Sequence, residues 1–233
     1  MNSLSAWDKD RLANTAQDLI QLNAKCYCDL GPGMGFMPTL IKQAGREVIA
    51  VEAPWEFEIR AQWGKESGIK VYKGEFFQDN FTDEITEPVD CFSLVHCIAH
   101  FRFPPHILLE KVWNKLPTGG YFYLSTVNAS RLEKVSAILK GQPITEEVKK
   151  HSDNPMFEIY KSFNDGTSDY MIWDDWMHVK EYTPGELKKI FEAERFKVIK
   201  LQYRNNLKLW KRDLICSVFP QFKDEIIIVG QKI

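Results

Sequence analysis

The sequence has no surplus of either charge sign. It carries 30 Lys and Arg residues against 32 Asp and Glu residues, and its formal net charge is −2. Without a basic surplus there is no electrostatic footprint for DNA or RNA, so nucleic acid is excluded as an expected partner. Cysteine is also scarce. Five residues scattered through apolar segments fit buried thiols in a reducing compartment better than a disulfide framework.

Long hydrophobic runs are absent as well. No apolar stretch approaches the length of about 20 residues that a membrane-spanning helix needs. Charged residues, Asp8 to Arg11, stand where a secretion signal would need an apolar core. We therefore expect a soluble cytoplasmic protein without stable membrane insertion. The chain length fits a single domain spanning residues 1–233.

Short apolar runs alternate with helical patterns along most of the chain. This alternation predicts an α/β fold, a Rossmann-like, seven-stranded, mostly parallel sheet with helices on both faces. A helix at about residues 5–23 precedes the first strand and is expected to cover the ligand site or pack on the sheet. The predicted strands are 26–29, 47–51, 70–72, 89–95, 121–125, 197–201 and 225–229.

The alternation fails between residues 129 and 177. A helical pattern at 131–140 is followed by the breakers Gly141 and Pro143, and then by a polar segment rich in aromatic residues. An interruption of this length predicts a substrate-binding insert within the domain. Aromatic rings beside carboxylates can stack on a sugar or hold a cation, which makes Tyr170, Trp173 and Trp176 candidate substrate-binding residues. A small satellite core is the alternative interpretation.

Two further segments follow the insert. Thr183 and Pro184 have the residue types that cap and begin a helix, and this helix is expected to end near Glu194. The basic amphipathic stretch at residues 206–219 is expected to cover the sheet, with contact to a membrane surface as the alternative.

A glycine-dense turn directly follows the first predicted strand. Gly31, Gly33 and Gly35 occupy alternate positions, and glycine lets backbone bend with positive φ and approach a ligand closely. Dinucleotide turns use a different, one-then-two spacing of their glycines. Here Asp29 stands just before the first glycine, where a carboxylate would repel phosphate and suit a cationic ligand.

S-adenosylmethionine fits these charges, because it carries an ammonium and a sulfonium and no phosphate. Glu52 ends the second strand about twenty residues after the turn, where acids of dinucleotide folds bind ribose hydroxyls. A tight structural turn and a nicotinamide-dependent oxidoreductase are the alternatives at this point.

The ordered motifs resemble those of the class I S-adenosylmethionine-dependent methyltransferases. The first motif is similar to Asp29–Gly35 and the second to Val51-Glu52, while the fourth- and fifth-strand motifs are similar to 89–101 and 116–126. The likeness resumes at 178–184. It departs at Ala99, where the family often has an acid, and at Arg195, where glycine often precedes the last phenylalanine.

The resemblance implies S-adenosylmethionine as the cofactor and a cofactor-binding set along the first four strands. The implied residues are Asp29, Gly31, Gly33, Gly35, Glu52, Ala53, Glu75, Phe76, Val95 and His96. Glu75 resembles the acid that contacts the adenine amine. Likeness to bacterial tailoring enzymes for sugars and surface polysaccharides implies a hydroxyl acceptor.

Two histidines are candidate catalytic residues. His100 lies just past the fourth strand, at the sheet edge where ligands of open α/β sheets bind, so it is the first candidate general base. His178 lies in the resumed motif and is expected to bind or activate the acceptor. Tyr182, in the same motif, is a candidate substrate-binding residue. Structural roles are the alternative for all three residues.

A metal site is not predicted. His96 and His100 are four residues apart, but the glutamate of the protease motif is missing, and Cys26 and Cys28 are placed to point into one core face. The predicted function is therefore methyl transfer to a small polar acceptor. Methylation of an amine held by the Trp and Asp cluster, and a non-catalytic cofactor-binding module, are the alternatives. The sequence leaves open whether the protein forms a homodimer.

Overall fold

The computed structural model describes residues 5–77, 80–144, 178–205 and 210–233. Seven strands form one sheet, as the sequence predicts. Strand boundaries differ from the predicted ones by one to three residues, since the fourth begins at Cys91 and the sixth extends to Arg204. The strands are β1 Cys26–Leu30, β2 Glu47–Glu52, β3 Lys70–Lys73, β4 Cys91–Val95, β5 Tyr121–Val127, β6 Lys197–Arg204 and β7 Glu225–Gln231.

The helices connect these strands in the expected alternation. They are α1 Ala6–Gln21, α2 Phe36–Gln43, α3 Phe57–Ser67, α4 Phe81–Glu84, α5 His106–Lys115, α6 Leu132–Leu139, α7 Pro184–Ala193 and α8 Trp210–Val218. Short 3-10 turns occupy Ile98–His100 and Pro220–Phe222. The one-turn helix α4 buries Phe81 and Thr82.

The strand order is β3-β2-β1-β4-β5-β7-β6. The first five strands of this order are parallel, and β7 runs antiparallel to both β5 and β6. The order reverses direction between β1 and β4, which makes their carboxyl ends the topological switch point, where open α/β sheets bind ligands. The antiparallel β7 brings the start of its own strand to the same edge.

Each face of the sheet buries a separate hydrophobic cluster. On one face, Leu109 and Trp113 of α5 and Phe191 of α7 pack with apolar residues of β1, β4 and β5. On the other, α1 packs on α2 and buries Leu19 among strand residues such as Tyr27. The sheet is therefore covered on both sides, and its carboxyl edge is left to the loops.

The start of α7 forms as its sequence predicts. Thr183 Oγ1 accepts a hydrogen bond from the Glu186 amide, and the Glu186 carboxylate accepts one from the Thr183 amide, which together make a capping box. Pro184 occupies the first turn. After this helix, Arg195 adopts a left-handed φ of 68° in the position where the family often has glycine, and its guanidinium lies over the Trp113 ring.

The expectation that the stretch at 206–219 covers the sheet is wrong for its described part. Helix α8 buries Arg212 and Cys216, and Arg212 pairs with Asp224. Its apolar residues point outward instead, with Trp210 74% exposed and Val218 67% exposed. The helix is anchored through an ion pair rather than through its apolar stripe.

The structure describes only the first part of the predicted insert. Helix α6 forms within the predicted 131–140 segment, while residues 145–177 lie outside the described ranges, so the insert stays a prediction. Among the residues that the structure describes, no helix combines the length and the apolarity required to cross a bilayer.

Candidate active site

The glycine turn requires glycine at each of its three positions. Gly31, Gly33 and Gly35 have φ values of 71°, 54° and 70°, in the left-handed region that L side chains rarely adopt. At Gly35 a Cβ atom would lie 2.0 Å from Cε2 of Trp63, so the turn is also tightly packed against α3. The amide of Gly31 donates to the carbonyl of Val51 and that of Gly35 to the carbonyl of Pro32, which holds the turn at the start of α2.

Asp29, the residue before the last of β1, is a buried acid with one hydrogen-bond partner. Its side chain is 3% exposed, and Ser93 Oγ donates a hydrogen bond of 2.7 Å to Oδ1. No cation of the described chain lies within ion-pair distance of it. Burial raises the pKa of Asp29 to about 7, although the Ser93 hydrogen bond opposes the shift. The site thus holds an acid that lacks a positive partner.

Glu52 is similar at the end of β2. It is 7% exposed, and its Oε1 accepts a hydrogen bond of 2.9 Å from the amide of Ala53. Arg60 Nε is 3.7 Å from Oε2, but the same guanidinium is bonded to Glu56. Burial raises the pKa of Glu52 to about 7 despite the Ala53 hydrogen bond. Both acids can accept hydrogen bonds from a ligand.

The loop after β3 carries the predicted adenine-contacting residues. Glu75 is 8% exposed, and its Oε2 accepts a hydrogen bond from the Phe77 amide at 3.0 Å. Phe76 is half-buried, with its ring centroid 5.4 Å from that of Phe81. A glycine turn, two buried acids that lack a cation bonded at short distance and this aromatic loop fit a positively charged nucleoside such as S-adenosylmethionine.

The structure brings together the two histidines predicted to be catalytic. The ring centroids of His100 and His178 are 5.0 Å apart, with an angle of 62° between the rings. The amides of Val179 and Lys180 both donate to the carbonyl of Ala99, which draws the returning chain onto the turn after β4. Ala99 is itself 1% exposed, so the acid common in the family would meet packed side chains there.

Glu181 fixes one of these histidines. Its Oε1 is 3.2 Å from Nδ1 of His178, while Oε2 binds Lys134 at 2.7 Å and Arg131. Burial alone would raise the pKa of Glu181, but the hydrogen bonds from His178, Arg131 and Lys134 outweigh it and lower the pKa to about 2. Glu181 is therefore ionised at neutral pH.

A second histidine–carboxylate pair lies at the end of β4. His96 follows Val95, the last residue of the strand, and its Nε2 is 3.0 Å from Oε1 of Glu225 in β7. Sequence reasoning missed Glu225 and Glu181 as site residues. Glu225 gave only the weak signal of a charge at the start of an apolar strand, whereas the i, i+3 spacing of His178 and Glu181 could have been noticed.

The remaining candidates divide into two groups. Tyr182 is 3% exposed within the hydrophobic cluster of α5 and α7, which leaves little of its side chain for a ligand. Tyr170, Trp173 and Trp176 lie outside the described residues. In the described part of the chain, no group of three or more His, Cys, Asp or Glu side chains could hold a metal ion. Cys26 and Cys28 are free thiols in one core cluster.

Solved structures share this fold. A SAM-dependent methyltransferase from Archaeoglobus fulgidus matches with a TM-score of 0.60 at 15% identity, over 96% of this chain and 94% of that one. Magnesium protoporphyrin IX methyltransferase from Synechocystis PCC 6803, with bound SAH, matches with a TM-score of 0.59 at 12% identity, over 100% and 90%.

An O-methyltransferase family 2 protein from Planctomyces limnophilus DSM 3776, in complex with apigenin, gives a TM-score of 0.51 at 13% identity. The match covers 100% of this chain and 63% of that one. No curated protein matches the chain. A model of the family described as "Methyltransferase domain" matches residues 6–201. The chain therefore belongs to the methyltransferase domain family and is a class I S-adenosylmethionine-dependent methyltransferase.

Proposed function

We propose that this methyltransferase acts on a hydroxyl oxygen of a small polar acceptor, with a sugar or a surface-polysaccharide precursor as the acceptor class. The observation that carries the proposal is the pairing of His178 with Glu181 beside His100 at the carboxyl edge of the sheet. S-adenosylmethionine supplies an electrophilic methyl group when it is bound. The residues of this chain must then hold the acceptor in line and take its proton.

The His178–Glu181 pair has the properties of a general base. The ionised Glu181 carboxylate accepts a hydrogen bond, so the proton of neutral His178 is expected on Nδ1. The lone pair of Nε2 then remains available to take a proton from an acceptor hydroxyl. A positioned base of this kind contributes roughly 10²- to 10⁴-fold to the rate when the acceptor is an alcohol.

His100 is proposed to orient the acceptor. Its ring meets that of His178 edge to face, so an acceptor bonded to His178 lies within reach of both rings. The O-methyltransferase from Planctomyces limnophilus supports oxygen as the methylated atom, by analogy of fold. The five free thiols support the proposed cytoplasmic location. The amine alternative depends on aromatic residues outside the described ranges, and no described contact favours it.

The proposal is tested by product analysis. Purified protein is incubated with S-adenosylmethionine and a panel of sugars, simple alcohols and matched amines, and methylated products are identified by NMR. We expect O-methyl products. His178→Asn should lower kcat by about 10²-fold while the affinity for SAH stays unchanged, and His106→Asn, an exposed histidine, serves as the control. Exclusively N-methylated products, or full turnover by His178→Asn, would contradict the proposal.

A further inference from the structure

His96 is held at the switch point by both its backbone and its ring. It adopts a left-handed φ of 57°, and its amide donates to the carbonyl of Ser125 at 2.9 Å. Its Nε2 is 3.0 Å from Oε1 of Glu225, a residue with no exposed surface. Glu225 reaches this point because β7 runs antiparallel to β5, and its first residue therefore lies beside the last residue of β5.

This arrangement carries two energetic costs. Only a few per cent of non-glycine residues adopt a left-handed backbone, although histidine is among the residue types enriched there, and such conformations concentrate at functional sites. The second oxygen of Glu225, Oε2, is buried without a hydrogen bond, and Arg204 Nη1 is 3.8 Å away from it. Buried orphan oxygens are rare and call for an explanation. Both costs fall on one His–Glu pair, which points to function.

The chemistry of the pair is set by its neighbours. Burial would raise the pKa of Glu225, but His96, Arg204 and Arg11 outweigh it and lower the pKa, so the carboxylate is ionised. Burial lowers the pKa of His96, with Arg11 and His178 adding to the shift and Glu225 opposing it, so the ring is neutral at pH 7. The proton of the ring then lies on Nε2, facing Glu225.

Nδ1 of His96 is consequently a hydrogen-bond acceptor. The ring is 21% exposed at the sheet edge, and no described residue donates to Nδ1. An unprotonated nitrogen has no hydrogen to offer a phosphate or a carboxylate, so it selects a ligand group that donates. Glu225 also differs from Glu181 in its partners. Glu181 binds Lys134 and Arg131 as well as a histidine, whereas the one short hydrogen bond of Glu225 goes to His96, so Glu225 acts mainly on that ring.

We propose that His96 accepts a hydrogen bond through Nδ1 from a second hydroxyl of the methyl acceptor, and that Glu225 is the positioning residue that orients its ring. The acceptor is therefore a polyhydroxylated compound, with one hydroxyl at His178 and another at His96. This inference rests on the proposed function, and it adds to it the side chain that binds a second hydroxyl of the acceptor.

A first test uses matched acceptors. Methyl glucoside and its four monodeoxy analogues are compared with the wild-type enzyme, His96→Ala and Glu225→Gln, after circular dichroism and SAH affinity have confirmed that each variant is folded. We expect no product from the analogue that lacks the methylated hydroxyl, and a loss of about tenfold in kcat/KM for one other analogue with the wild type. His96→Ala should raise the KM for methyl glucoside by a similar factor, with little change in kcat, and leave that analogue unaffected. Equal losses for every acceptor would overturn the proposal.

A second test needs no turnover. Nitrogen-15 NMR of ring-labelled protein saturated with SAH reports the protonation of each nitrogen of His96. We expect an unprotonated Nδ1 at pH 7 in the wild type, and a proton that exchanges between the two nitrogens in Glu225→Gln. A protonated Nδ1 in the wild type would overturn the proposal. If no panel compound is methylated, the proposed function fails, and this spectrum still tests separately whether Glu225 leaves Nδ1 of His96 unprotonated.

Discussion

The two halves of the sheet treat buried carboxylates in opposite ways. In the half formed by β1, β2 and β3, Asp29 and Glu52 have no cation bonded at short distance, and burial raises the pKa of each to about 7. In the half formed by β4, β5, β7 and β6, Glu181 is hydrogen-bonded to His178 and Glu225 to His96. These bonds, together with the basic side chains nearby, outweigh burial and lower the pKa values of both acids. Arg60 is 3.7 Å from Glu52 and Arg204 is 3.8 Å from Glu225, so the short bond to a histidine is what distinguishes the second half.

The difference matches the roles proposed for the two halves, which are cofactor binding in the first and activation of the acceptor in the second. A buried acid without a strong partner is costly to ionise, so it favours a ligand that brings positive charge or hydroxyl donors. A carboxylate already bonded to a histidine instead fixes the tautomer of that ring before any ligand arrives. The half formed by β1, β2 and β3, here called the cofactor half, therefore gains a strong positive partner for its acids only when a ligand binds. In the other half, here called the acceptor half, the acids already have such partners within the protein.

The largest expected effect is a loss of cofactor affinity that leaves the acceptor half intact. Gly35→Ala places a Cβ atom 2.0 Å from Cε2 of Trp63 at a φ of 70°, so we expect SAH affinity to fall by at least about 100-fold. Gly33→Ala is the matched control, because its φ is 54° but no atom lies within 4 Å of the added Cβ. Calorimetric titration with SAH measures both. Equal losses in the two variants would show that contact with Trp63 is irrelevant.

The next effect is a loss of kcat that leaves cofactor affinity unchanged. Glu181→Gln removes the charge that orients His178, so we expect kcat to fall by about 10²-fold with SAH affinity unchanged within about twofold. Glu192→Gln, in which an exposed residue that pairs with Lys188 is altered, should leave both quantities unchanged. A parallel loss of SAH affinity in Glu181→Gln would mean that the two halves are not separable.

A smaller effect sharpens the contrast within the cofactor half. Glu52→Gln should weaken S-adenosylmethionine binding by about tenfold, because it loses a carboxylate acceptor for ribose hydroxyls.

Because the folded pKa of Glu52 is raised, the free energy of unfolding should decrease as pH rises from about 4 towards 7, and Glu52→Gln should lessen that decrease. Thermal unfolding between pH 5 and 8 measures this slope, with Glu47→Gln, at the exposed start of β2, as the control. A steeper slope in Glu52→Gln would contradict the assignment.

The same division explains what the sequence could predict. Asp29, the glycine turn and Glu52 are local signals, fixed by one strand, one turn and the end of the next strand, and the structure places them together as expected. Glu225 meets His96 only because β7 inserts antiparallel between β5 and β6, a pairing of residues 129 positions apart. Periodicity carries no information about such contacts, so the acceptor half was predicted only in part.

The outward face of α8 shows the same limit. Its spacing of apolar residues is that of a helix packed on a core, yet Arg212 and Cys216 are the buried positions. The ion pair of Arg212 with Asp224, just before β7, decides the orientation, and that partner is distant from the helix pattern itself. Periodicity identified the helix but assigned the wrong side to the interior.

Proton release on cofactor binding tests the central claim most directly. Titration calorimetry with S-adenosylmethionine at pH 7, in buffers of different ionisation enthalpy, counts the protons that leave the protein. Because burial raises the pKa of Asp29 and of Glu52 to about 7 and the ligand favours their ionised forms, we expect a net release of protons and tighter binding at pH 8 than at pH 6. Binding without proton release, with the same affinity from pH 6 to pH 8, would contradict the account.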